Sequence, residues 1–229
     1  MRPDPESFAE RLRERGVDND SRVIITTPGT SAGHFARATR LFWQLHILGH
    51  EAVAILDGGN AAWRAAGYGL SQEKAKPATG TFQAEPHTGS LIATTAAVAD
   101  AVEAGSVQLV DNRPLAYFLG LEQKSYVSAA GRLPGAAVMP FDLVTKAAEE
   151  SEGPVRLRST EALRDLVETL DFDPEAPTVT YCNSGNVASV GWFVLHELLG
   201  NRSVRLYDGS MHAWAQDADR PVVGLESAP

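Results

Sequence analysis

The segment TVTYCNSGNVASVGWFVLHEL holds the only cysteine of the chain, Cys182, between a β-branched run and a helical one. A strand that ends in a Gly-containing loop and then opens a helix gathers backbone N–H groups from the loop and from the first helical turn. Such a cradle favours an anion, and the C-terminal ends of strands are where open α/β sheets bind their ligands. Cys182 is therefore expected to be a nucleophilic thiolate facing an electropositive bowl. Gly185 permits the tight curl, since it tolerates φ > 0 without a Cβ clash, and Ser184 and Asn186 can add side-chain donors. The bland alternative is a small buried hydrophobe, which the strand–loop–helix setting disfavours. A phosphate clamp of the form Cys-x5-Arg is missing, because the sixth position after the cysteine is Ala188. Nor do one Cys and six scattered His show metal-ligand spacing.

Positioning this loop requires an alternation of strands and helices. Residues 5–15 place Phe8 and Leu12 four apart among charges, a short amphipathic helix stopped by Gly16. VIITT at 23–27 reads as a buried strand closed by Pro28-Gly29. A helix is predicted over 34–48, ended by Gly49, then strand 52–56, Asp57-Gly58-Gly59 and a short helix around 61–64. Residues 72–89 are polar and aperiodic and read as a connector. Beyond it come a helix at 94–105, a strand at 107–111, and a turn feeding a short strand over 131–140. A helix follows at 159–170 with Ser159 as its cap. Strand 178–181, a helix over 187–199 ended by Gly200, strand 203–207 and a short helix carrying Trp214 complete the series. The pattern predicts an α/β fold with a parallel sheet flanked by helices.

The chain has 229 residues, room for one large or two small units. Hydrophobic residues are 44% and charged residues 21%, which excludes wholesale disorder. The net charge of −9 argues against nucleic acid or an anionic membrane as partner. No apolar run is long enough for a membrane span, and the opening MRPDPESFAERLRERG does not read as a signal peptide. With one cysteine and no internal disulfide, a cytoplasmic location is expected.

Two stretches match at an offset of 151 residues. Gly49 falls on Gly200, Leu56-Asp57-Gly58 on Tyr207-Asp208-Gly209, and Ala62-Trp63 on Ala213-Trp214. This predicts a duplicated α/β domain: a partial, catalytically silent copy over 1–75, a linker over 76–90, and a complete catalytic copy over 91–229. Where the second copy has Tyr181-Cys182, the first is read as Thr27-Pro28. The first copy also lacks a counterpart of residues 107–140 with its two strands. It should leave sheet edges and apolar faces open unless the second copy, another chain or further residues cover them.

VDNR (110–113), GRLPGA (131–136), YCNSGNVA (181–188), LYDGSMHAW (206–214) and LDGGNAAW (56–63) together resemble the tandem rhodanese-like sulfurtransferases, over nearly the whole chain. The resemblance implies that a sulfane sulfur passes from thiosulfate or 3-mercaptopyruvate to Cys182, and from that persulfide to cyanide or a thiol. It implies no cofactor and no metal. The partners implied are a small anionic sulfur donor and a thiol or cyanide acceptor, a thioredoxin-like protein among them. By the same resemblance Asn183, Ser184, Gly185, Asn186, Val187 and Ala188 form the loop whose amides hold the persulfide. Ser184 leans toward mercaptopyruvate, whereas Asn183 matches neither donor's pattern. Tandem members hold the donor's anionic head with arginines between the DxR strand end and the PGA turn. Lys124 and Arg132 are the basic candidates, and a lysine lacks the bidentate fork. The acid–base residues that mercaptopyruvate enzymes draw from the first domain fall in the missing part, so slow catalysis is expected. A competing reading is a persulfide carrier or protein-interaction module with little activity on small donors.

The remaining residues receive structural readings. Asp111 and Arg113 are expected to pair beneath the loop, Asp57 and Asp208 to cap the helices that follow them, and Trp63 and Trp214 to anchor cores. His34, His46, His50, His87 and His196 read as helix-face or loop residues. His212 lies close enough in the pattern to approach the loop, and Glu149, Glu150 and Glu152 make a solvated acidic loop.

Overall fold

The computed structural model describes residues 2–86, 88–147 and 153–225. His87, Glu149, Glu150 and Glu152 lie outside the described residues. Helices and strands alternate as α1 (Pro5–Arg13), β1 (Val23–Ile25), α2 (Ala32–Ile47), β2 (Val53–Ile55), α3 (Gly59–Ala65), α4 (Thr88–Leu91) and α5 (Thr95–Ala104). They continue as β3 (Gln108–Asp111), α6 (Leu115–Phe118), β4 (Ala137–Val138), β5 (Thr145–Lys146), β6 (Arg156–Leu157) and α7 (Thr160–Thr169). The last are β7 (Thr178–Tyr181), α8 (Ala188–Trp192), β8 (Val204–Leu206) and α9 (Ser210–Trp214). The elements α4, α6, β5 and β6 have no counterpart in the sequence pattern, and α4 begins inside the stretch read as a connector. The predicted helix over 187–199 forms, but it widens into a π-helical turn over Phe193–Leu198.

The chain forms two compact units: Gly89–Lys146 with Leu157–Pro229, and Arg2–Thr88 with Ala147–Arg156. The larger unit is built on a four-stranded parallel sheet in the order β4-β3-β7-β8. All four residues of β7 are buried, as a strand covered on both faces must be. Val98, Leu109, Val127, Leu133, Val179 and Trp214 fill one core of this unit. Polar side chains fix the helix starts: Ser159 accepts from the Ala162 amide at 3.2 Å and Thr94 from the Ala97 amide at 3.2 Å.

The smaller unit repeats part of this plan. β8 begins and ends 151 residues after β2, and β1 pairs parallel with β2 as β7 does with β8. Equivalent backbone bonds recur as well. Leu56 N–H donates to Ile25 C=O and Tyr207 N–H to Thr180 C=O, both at 2.9 Å. Asn60 and Ala61 donate to Thr27 and Pro28, while Met211 and His212 donate to Cys182 and Asn183. This register sets Thr27 opposite Cys182, and so corrects the Thr27-Pro28 alignment by one residue.

Among the described residues β1 has β2 as its only strand neighbour. Ile24, equivalent to the buried Val179, is therefore 70% exposed, and β1 is not the buried strand its composition suggests. Trp63 is 39% exposed against 1% for Trp214. It rests on Tyr68 with ring centroids 4.4 Å apart instead of anchoring a core. Both corrections have one cause: among the described residues, β3, β4 and α5, which flank the second copy's face, have no equivalent in the first. Residues Ala147–Arg156 join this unit, with Val155 N–H donating to Gly29 C=O at 2.8 Å and Arg156 pairing with Asp57 at 3.5 Å.

His50 is buried beside Phe82, and burial lowers its pKa below the ordinary 6.5, against a smaller opposing hydrogen bond with Ser21. The unfolded chain then binds a proton at pH values where the folded chain resists it. Stability present above about pH 6.5 is expected to be lost as pH falls below it. Urea midpoints at pH 7.5 and 5.5 check this, and in His50→Gln the difference should shrink.

Candidate active site

Cys182 follows β7 directly, and its loop curls through Gly185 at φ 80° before α8 begins. The thiol is 2% exposed yet lines an open cleft of about 390 Å³. The Gly185 amide donates to Sγ at 3.1 Å, so a backbone donor of the loop is aimed at the sulfur. The Ser210 hydroxyl also stands 3.9 Å from Sγ. That hydroxyl also accepts from the Cys182 amide at 3.1 Å and donates to the Tyr207 carbonyl at 2.8 Å. Amides of α9 then secure the loop from below, Met211 to the Cys182 carbonyl at 3.0 Å and His212 to the Asn183 carbonyl at 2.9 Å.

Ser210 has a left-handed backbone, φ 50°, where the equivalent Gly59 has φ 53°. A side chain kept at such a position costs about 1 kcal/mol or more. The three-way contact of the hydroxyl is what that cost secures. Sequence reasoning missed this residue, although a non-glycine aligned with a left-handed glycine would have flagged it.

Beneath the loop Asp111 and Arg113 form a buried pair. Arg113 Nε donates to both carboxylate oxygens at 2.9 and 3.0 Å, and Nη2 donates to Oδ2 at 2.6 Å. Nη2 also reaches the Gly131 carbonyl at 2.7 Å, and Nη1 reaches Asn183 Oδ1 at 3.2 Å. Burial works against the charge, but the hydrogen bonds and charge of Asp111, with smaller contributions from Tyr181 and Cys182, raise the guanidinium pKa. Arg113 is thus a tie between the sheet and the cysteine loop.

The cleft gathers Asn183, Ser184, Asn186 and Val187 of the expected loop, together with Lys124. Gly185 contributes its amide, whereas Ala188 is wholly buried at the start of α8 and does not line the cleft. Lys124 stands beside Tyr117, whose hydroxyl raises the ammonium pKa, and its ammonium lies 5.4 Å from the Tyr117 ring centroid. Arg132, the other expected basic contact, does not line the cleft. Backbone bonds with Val223 set its direction, and its guanidinium lies 4.4 Å over the Phe118 ring. Three cleft aromatics, Tyr117, Tyr126 and Phe141, carried no signal in the sequence.

A family model, the rhodanese-like domain, matches residues 94–217, more than half of the chain and the whole of this site. The chain belongs to the rhodanese-like family. It is 34% identical over 212 residues to a putative thiosulfate sulfurtransferase of Saccharopolyspora erythraea, covering 90% of this chain and 71% of that relative. It is 29% identical over 251 residues to thiosulfate/3-mercaptopyruvate sulfurtransferase 2 of Arabidopsis thaliana, covering 99% and 69%. The Tum1 protein of Saccharomyces cerevisiae shares the fold at TM-score 0.81 and 21% identity, over 99% of this chain and 77% of that one. Longer solved chains of the same fold are spanned over 55% of their length. The enzyme class is that of the rhodanese-type sulfurtransferases. No helix among the described residues is long and apolar enough to cross a membrane.

In this member of the family the Ser210 contact has a measurable consequence. Ser210→Gly relieves the left-handed strain but removes the hydroxyl that holds the Cys182 amide. Sulfurtransferase turnover is expected to fall up to about tenfold, the scale of one lost hydrogen bond between neutral groups, while the relieved strain offsets much of the loss in the urea midpoint. A steady-state assay beside a denaturation curve checks both halves.

Proposed function

We propose that the protein takes a sulfane sulfur from thiosulfate or 3-mercaptopyruvate onto Cys182 and delivers it to cyanide or a thiol. With thiosulfate, the Cys182 thiolate attacks the outer sulfur, the Sγ–S bond forms, the S–S bond of the donor breaks, and sulfite leaves with the electron pair. The perthiolate carries the remaining charge, and Lys124 supplies the positive charge for the donor's anionic head. Asn183 to Val187 make the wall against which the sulfur rests. The observation that carries this reading is the Gly185 amide 3.1 Å from a cysteine Sγ on the floor of a cleft. The names of the relatives, thiosulfate and 3-mercaptopyruvate sulfurtransferases, support the two donors.

Intact-mass spectrometry after incubation with thiosulfate, and separately with mercaptopyruvate, tests the proposal. A gain of one sulfur atom is expected in the wild type and none in Cys182→Ser. No gain with either donor overturns it. The carrier reading, favoured by Lys124 being the one exposed cation among the described residues that line the cleft, predicts sulfur loading from a persulfidated protein only.

A further inference from the structure

Discharging a persulfide onto cyanide requires room for two atoms, yet the Cys182 cleft encloses about 390 Å³. Volumes of roughly 300–1,000 Å³ belong to sites for organic molecules. The cleft is also chemically lopsided. Tyr117, Tyr126 and Phe141 supply three aromatic rings, and Arg113 and Lys124 are its charged lining residues. Arg113 has both edges committed, to Asp111, the Gly131 carbonyl and Asn183. The exposed Lys124 ammonium lies 5.4 Å from the Tyr117 ring centroid and carries three donors.

The aromatic wall is held in place. Tyr126 is 47% exposed, but its carbonyl accepts from His212 Nδ1 at 2.7 Å, and its ring meets the His212 ring edge-on at 5.8 Å. His212 in turn sits on α9, whose amides fix the cysteine loop. An exposed tyrosine anchored to the element that carries the nucleophile's support is a binding surface, because aromatic rings attract other rings by stacked or edge-on packing.

We propose that the sulfur acceptor is an aromatic thiol bearing one carboxylate, its ring against Tyr126, Phe141 and Tyr117 and its carboxylate on Lys124. This rests on the persulfide reading above and names the second substrate of the same site. The acceptor thiolate attacks the terminal sulfur of the Cys182 persulfide. A new S–S bond forms to the acceptor, the Sγ–S bond breaks, and the electron pair returns to Cys182 as thiolate, leaving an aryl hydropersulfide anion.

The test separates the two half-reactions. Enzyme is loaded with thiosulfate, desalted and checked by mass, then discharged by 4-mercaptobenzoate or by 3-mercaptopropionate in single-turnover experiments. Intrinsic thiol reactivity cancels when the ratio of the two rates is compared between wild type and variant. That ratio is expected to fall about tenfold in Tyr126→Ala and in Phe141→Ala, on the scale of one aromatic contact, and to recover in Tyr126→Phe. Lys124→Gln should slow both carboxylates relative to cyanide. A ratio unchanged in both alanine variants overturns the acceptor assignment while the persulfide stands. An enzyme that never gains sulfur overturns the persulfide reading and the acceptor with it.

Discussion

Replacing Cys182 by Ser is expected to lower sulfurtransferase turnover on the order of 10³-fold or more, the scale on which enzymes fall when a covalent nucleophile is removed. The chain has one cysteine, so no second thiol can take over the sulfur. A serine hydroxyl is a far weaker nucleophile than a thiolate at neutral pH. The change is close to isosteric, the Gly185 amide keeps an acceptor, and the Cys182 backbone bonds to Ser210 and Met211 remain. Stability should therefore move by less than about 1 kcal/mol. A thiosulfate:cyanide assay with a parallel urea titration measures both, and equal turnover in the two proteins would remove Cys182 from the mechanism.

The second large effect is on stability. Arg113→Ala leaves the Asp111 carboxylate, which is fully buried, without its cation. Breaking a buried pair from one side costs about 3–5 kcal/mol, because the surviving charge has lost both water and partner. The cost should appear in the larger unit, as faster hydrogen exchange of the β3 and β7 amides. Arg113→Lys is expected to recover only part, since a lysine cannot span both carboxylate oxygens, the Gly131 carbonyl and Asn183 Oδ1 at once. Exchange rates within a factor of two of wild type in Arg113→Ala would show that the pair contributes little. The same variant unties Asn183, so its donor KM should rise even under conditions where the protein stays folded.

The elements around Cys182 were legible in the chain because their signals are local. β-branched residues at 178–181, Gly185, and an apolar run to Gly200 each fix a neighbouring stretch of backbone without help from distant residues. The repeat was legible for the same reason, since each Gly and Asp-Gly reports its own turn. Lys124 was found as the basic residue of its segment, and it does line the cleft. Arg132 was found by the same reasoning and lies elsewhere, because a bridge to Val223, some ninety positions along, turns it onto Phe118. Nothing short-range in the sequence reports that bridge.

Ser210 shows the same divide at the sulfur itself. Its place opposite Cys182 follows from β7 and β8 lying side by side, a pairing between residues 28 apart. Strand order also decides burial: Ile24 and Val179 read alike as β-branched strand residues, but only Val179 has neighbours on every side. Residue type and spacing determined where the chain turns, where its one cysteine falls between strand and helix, and that part of the plan occurs twice. Tertiary structure decided which hydroxyl faces the sulfur, which cation reaches the cleft and which apolar faces stay open, because those depend on contacts between segments whose separation along the chain carries no record of their distance in space.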